Sequence, residues 1–203
     1  RGLSIYATWH SREAQQVAAA KAWLADKTLK SLRITWREDV RRWHPGQDWI
    51  FEPGGLGVFD PGINALSILT EILPDAIHLR EAVLSFPDNR QAPIAAELGF
   101  RHPGNAAVSC DFDFRQEGEQ TWEIAAVCAE GTLKLTHGGA QMFVDGAPAG
   151  DALTGLDGEY PRLYAKMAQL VRNGRIDMDL SPMRHVADAF LLGRRETVAP
   201  FHF

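Results

Sequence analysis

Apolar and polar positions alternate along this chain with two different periods, and the change from helical to strand-like spacing falls near residue 77. Residues 3–8, Leu-Ser-Ile-Tyr-Ala-Thr, read as a strand. Ser11 is placed to cap a helix from Arg12 to about residue 26, with Ala14, Val17, Ala18, Trp23 and Leu24 on one face. In residues 30–37, Leu32, Ile34 and Trp36 alternate with Arg33, Thr35 and Arg37, which predicts a strand with one buried face. Another helix is expected from Pro61, with Asp60 as N-cap, an apolar side of Ile63, Leu66, Leu69, Ile72 and Leu73, and a stop at Pro74-Asp75. Strands follow at 77–86, 93–101, 105–114, 120–128, 130–136 and 141–145. Turn residues such as Pro87-Asp88-Asn89, Pro103-Gly104-Asn105 and Glu130-Gly131 separate them, and connections this short imply an antiparallel meander. Helices are predicted over 159–172 and from Ser181, with Gly174 ending the first and Pro182 opening the second. Residues 196–203 are expected to add an edge strand. The predicted fold class is α+β, a predominantly antiparallel open sheet with helices on one face.

The stretch 38–57 obeys neither period. It carries Trp43, His44, Pro45, Trp49, Phe51 and four glycines, which is loop chemistry loaded with aromatic rings. Such a loop either packs on the core or walls a cleft. Composition narrows the picture further. The 203 residues are 45% hydrophobic and 23% charged, ordinary for a globular domain with one core. A net charge of -5 and mixed-sign charge runs argue against a phosphate-tracking surface, so no nucleic-acid partner is expected. No apolar run is long enough for a membrane span. The two cysteines, Cys110 and Cys128, lie in strand-like text and are expected as reduced buried thiols, which suits a cytoplasmic setting. With the seven histidines scattered, no metal site is expected.

Four polar residues are candidates for chemistry: Glu38, His44, Asp60 and Asn64. Asp60 and Asn64 are four apart, so at a helix start they project from nearly one face beside unpaired backbone N–H groups. Sugar hydroxyls need both donors and acceptors, and neighbouring aromatics can cover a pyranose face. The same residues also have plain structural uses. Asp60 can be only a cap, Asn64 can face solvent, His44 can be a core histidine and Glu38 can pair with Arg37, Arg41 or Arg42. The glycines at 54, 55 and 57 do not form a dinucleotide fingerprint, because neither the spacing nor a preceding strand is present.

The segment from Trp36 to Leu73, and within it Gly-Gly-Leu-Gly-Val-Phe-Asp-Pro-Gly-Ile-Asn at 54–64, resembles the second domain of the glucose–fructose oxidoreductase, inositol dehydrogenase and rhizopine-catabolism family. It looks closest to the sugar 1-dehydrogenases acting on L-arabinose or D-galactose. The resemblance extends from about residue 3 to the end. It implies a parent with a Rossmann domain binding NADP or NAD, followed by a sheet domain that faces the sugar. Residues 1–10 would be the remnant of the Rossmann domain, and residues 11–203 the substrate-binding and oligomerisation domain. The family's glycine-rich cofactor fingerprint and its E-K-P lysine motif do not occur in this sequence. The implied reaction is hydride transfer from C1 of an aldose, giving an aldonolactone. The implied roles are proton transfer for Asp60 and substrate binding for Glu38, His44 and Asn64. Many family members carry histidine where Asn64 stands, and asparagine does not titrate, so proton handling falls to Asp60. The implied partners are a monosaccharide and a second copy of the chain, paired through the open sheet as a homodimer or higher oligomer. The alternative for the chain alone is a non-catalytic sugar-sensing or assembly domain.

Overall fold

A computed structural model of the chain describes residues 3–150 and 158–203. Its elements run α1 (Val17–Leu24), β1 (Leu29–Arg37), α2 (Val40–Trp43), α3 (Phe59–Ile72), β2 (His78–Pro87), β3 (Ala95–Arg101), β4 (Ala107–Asp113), β5 (Thr121–Cys128), β6 (Gly131–Thr136), β7 (Gln141–Val144), β8 (Ala147–Ala149), α4 (Glu159–Asn173), α5 (Ser181–Leu192) and β9 (Arg194–Val198). The strands form one open sheet in the order β8-β7-β6-β5-β1-β4-β3-β2-β9.

The sheet is not a simple meander. β1 lies between β4 and β5, parallel to β4 with Ile34 opposite Cys110, and antiparallel to β5 with Ile34 opposite Ile124. The last strand, β9, runs parallel to β2. The remaining pairings are antiparallel. Short connections alone cannot reveal that an earlier strand inserts between two later ones. The final strand also forms earlier than the sequence suggests, ending at Val198, while Phe201 turns back into the core.

Strand alternation sorts the side chains as the pattern predicts. Leu32, Ile34 and Trp36 of β1, Val108, Cys110 and Phe112 of β4, and Ile124 and Ala126 of β5 are buried on the helix-bearing face. α3 covers that face with Phe59, Ile63, Leu66 and Leu69. Gly62 lets α3 lie against the Phe112 ring, which a Cβ there would touch at 3.0 Å. Burying such side chains contributes about 1.5–3 kcal/mol each, so this face is the main source of stability. The opposite face carries Arg33, Arg37, Asp111, Glu123 and Lys134 in ion pairs, together with the exposed Val127.

Residues 3–8 make no regular strand. Tyr6 forms a single parallel bridge to Asp177, and Ala7 N–H donates to Asp177 O at 2.8 Å. Residues 1–2 lie outside the described residues. The expected helix from Arg12 begins as a 3₁₀ turn over His10–Glu13 and becomes α-helical only at Val17. Arg12 from that turn pairs with Glu71 at the far end of α3 and approaches Asp177 and Asp179, fastening the N-terminal segment to the body.

Candidate active site

The carboxyl ends of the parallel strands β1 and β4 and the N-terminus of α3 meet at one place. Glu38 follows β1 directly. Its N–H donates to Asp113 O at 2.9 Å, and Val40 N–H donates to Phe114 O at 3.0 Å. Asp39 caps the short helix α2 by accepting from Arg41 N–H at 2.9 Å. That single turn delivers His44, whose N–H closes back on Val40 O at 2.8 Å. Beyond it the aromatic loop divides. Ile50 and Phe51 are buried in the core, while Trp43 and Trp49 stay exposed. The loop returns through Gly57, at φ +55, where a Cβ would overlap the Pro93 carbonyl. Val58 N–H donates to that same carbonyl at 2.7 Å, and α3 begins at Phe59.

Asp60 is therefore not the N-cap of α3. Val58 holds that position, and Asp60 lies inside the first turn without a side-chain capping bond. A tertiary acceptor, the Pro93 carbonyl, takes one of the amides at the helix start. The Asp60 carboxylate is left free for other work. Similarly, Ser181 is the first residue of α5 rather than its cap, and its hydroxyl pairs with Asp179.

Three of the four candidates converge. His44 Nε2 lies 3.5 Å from Glu38 Oε1 and 3.8 Å from Asp60 Oδ2. Asn64 stands one helical turn beyond Asp60 on α3, half-buried. Glu38 does not pair with the arginines near it in sequence. It is buried, and its Oε2 accepts the Trp122 indole N–H at 2.9 Å. The Phe114 ring meets the His44 ring edge-on at 5.6 Å. Sequence reasoning did not single out Trp122 or Phe114. Both read as ordinary apolar positions of strands, and their partners are far away in the chain.

The electrostatics follow from this packing. Hydrogen bonding to Glu38 raises the His44 pKa above its ordinary value; burial opposes this, and the charge of Asp60 adds to it. Burial raises the Asp60 pKa, the nearby Glu38 charge adds to the rise, and His44 opposes it. A carboxylate with raised proton affinity beside an imidazole is suited to accept a proton from a hydroxyl. Beside the cluster, Trp122 and Trp43 also line an open groove of about 610 Å³ together with Arg42, Gln120, Glu123 and His137.

The glycines ahead of α3 do not fit a dinucleotide. A Cβ at Gly55 would overlap the Ile50 and Trp49 carbonyls, so Gly55 and Gly57 are closed against protein backbone instead of open to a phosphate. Asp60 in the first turn also places negative charge where a phosphate would sit. Among the described residues, no group of three or more His, Cys, Asp or Glu side chains is arranged to hold a metal ion.

No family model matches the sequence. A galactose 1-dehydrogenase of Pseudomonas fluorescens is 47% identical over 189 residues, covering 93% of this chain and 61% of that protein. The crystal structure of a D-galactose-1-dehydrogenase from Rhizobium etli matches with a TM-score of 0.93 at 52% identity, over 99% of this chain and 63% of that one. KijD10, a 3-ketoreductase from Actinomadura kijaniata solved with NADP and TDP-benzene, shares the fold with a TM-score of 0.73 at 15% identity. The chain thus spans less than two thirds of the length of the proteins it matches. At this level of identity, over nearly its whole length, the chain belongs to the glucose–fructose oxidoreductase, inositol dehydrogenase and rhizopine-catabolism family.

Proposed function

We propose that this chain is the sugar-facing part of an NADP- or NAD-dependent aldose 1-dehydrogenase, with D-galactose as the first substrate to test and L-arabinose as the second. The observation that carries this reading is the convergence of Glu38, His44 and Asp60 within 4 Å contacts at the start of the helix that also bears Asn64. The likeness to two galactose dehydrogenases supports the choice of sugar. In this reading residues 1–10 are the exit of a cofactor-binding domain, and residues 11–203 bind substrate and pair copies of the protein.

Oxidation at C1 removes a hydride from carbon and a proton from the attached hydroxyl, leaving the lactone carbonyl. A nicotinamide cofactor held by the rest of the protein supplies the hydride acceptor. The residues in this chain handle the proton and the alignment. Asp60 takes the O1 proton. His44, supported by Glu38, faces Asp60 and opposes the rise that burial gives its proton affinity. Asn64 offers both an acceptor and donors to a hydroxyl without competing for the proton. Glu38 and His44 orient the remaining hydroxyls, and water exclusion strengthens each of these contacts. The absence of paired cysteines among the described residues is compatible with a cytoplasmic location.

The test is Asp60→Ala in the intact protein with D-galactose and NADP or NAD. The expected loss in kcat/KM is about 100-fold or more, the scale of a lost general base. An unchanged kcat/KM defeats the Asp60 assignment. Sugar binding without oxidation in the unsubstituted protein would favour a sensing role instead.

A further inference from the structure

Trp122 touches the carboxylate cluster with one atom, and that atom is a donor. Its indole N–H bonds Glu38 Oε2 at 2.9 Å while Glu38 Oε1 faces His44 Nε2 at 3.5 Å. Glu38 is buried, so it cannot take a donor from bulk water without moving. The indole itself is held on two sides. Trp43 packs edge-on against it at 5.2 Å, and Trp36, its direct partner across β1 and β5, lies at 6.4 Å. A rigid ring therefore fixes one oxygen of a buried carboxylate and leaves the other aimed at the imidazole.

We propose that Trp122 is a positioning residue that acts through Glu38: its N–H locks the carboxylate in the rotamer that holds His44 between Glu38 and Asp60. The proposal deepens the dehydrogenase reading above and rests on it for its kinetic consequence. The groups facing His44 are Glu38 at the end of β1, Asp60 from α3, and the Gln47 amide from its own loop. Without the indole donor, Glu38 is free to rotate toward another partner. His44 then loses its nearest negative neighbour, and its own support for the ionised form of Asp60 weakens.

The test uses Trp122→Phe, which keeps one aromatic ring and removes the donor together with the five-membered ring that carries it, and Glu38→Gln, both made in the intact protein. Two readouts are needed. The first is the His44 imidazole titration followed by NMR in the absence of sugar, which needs no turnover. Trp122→Phe should move it to lower pH by about 0.5–1 unit, the scale of one lost charge-assisted contact. The second is a double-mutant cycle on kcat/KM. Trp122→Phe alone should cost on the order of tenfold and shift the acid limb of the pH profile upward. In the Glu38→Gln background the same change should cost less than about twofold, because residues acting as one unit are not additive. A His44 titration that stays in place or rises overturns the proposal, as does an equal kinetic loss in both backgrounds. If the protein oxidises no aldose, the dehydrogenase reading fails on its own, and the titration still decides whether Trp122 acts through Glu38.

Discussion

His44 and His185 titrate in opposite senses. Glu38, and then Asp60, make His44 bind its proton more tightly in the folded protein, against the pull of burial. Its contribution to stability is fully present below the ordinary histidine pKa and is lost as pH rises through the raised folded value. Asp60 has the same sign in a more acidic window, because burial raises its pKa and its ionisation above the ordinary carboxylate range weakens the fold. His185 is buried on α5 against the Phe100 ring at 5.1 Å, and burial lowers its pKa. Its contribution is present above the ordinary histidine value and is lost as pH falls through the depressed one. Melting temperatures measured across about pH 5–9 should therefore decline at both ends. His44→Gln should flatten the decline on the alkaline side. His185→Leu should flatten it on the acid side, with little cost at neutral pH, because the Nδ1 of His185 is buried without a partner. Unaltered slopes in either variant would contradict the assignment for that histidine.

At the level of elements, the junction between loop and α3 decides whether the site exists. Gly57 is the residue on which it turns. It combines a left-handed φ of +55 with backbone contact to Pro93. Gly57→Ala should destabilise the fold by about 2–3 kcal/mol through strain and overlap, read as a lower urea midpoint. It should also separate His44 from Asp60, so activity should fall even where the variant is folded. The sequence made α3 legible because Ile63, Leu66, Leu69 and Ile72 recur at helical spacing. It misassigned the start of α3 because Asp60-Pro61 is an ordinary opening, whereas the actual opening depends on a carbonyl at Pro93 that local text cannot reveal. The placement of Asp60 and Asn64 one turn apart on α3 was visible as a four-residue spacing. The burial of Glu38 was not, since Trp122 lies on a strand that joins the sheet far later in the chain. Residues 3–8 had the composition of a strand, yet only Tyr6 found a bridging partner, at Asp177.

For the whole molecule, the two halves of the outer sheet face differ. Arg33 and Arg37 share Asp111 on the β1–β4 half, while across β5, β6 and β7 the apolar Ala125, Val127 and Phe143 lie around Lys134, which pairs with Glu123. Val127 is 44% exposed, a large share for a β-branched residue at the middle of a sheet. In the proposed pairing of copies, Val127 and its apolar neighbours Ala125 and Phe143 form the centre of the contact. Val127→Glu should shift sedimentation from dimer to monomer at micromolar concentration with little change in melting temperature. A parent that is monomeric under those conditions would rule the pairing out.

The placement of β1 between β4 and β5 has a consequence for synthesis. The strand at the middle of the sheet is made first, but its parallel neighbour is complete only at Asp113 and its antiparallel neighbour only at Cys128. Until then the emerging polypeptide carries Leu32, Ile34 and Trp36 on a strand with two bare edges, a ready template for neighbouring chains on the same messenger. A chain stopped at Gly118 should pellet when expressed, whereas one that continues through β9 and Phe201 should stay in the supernatant.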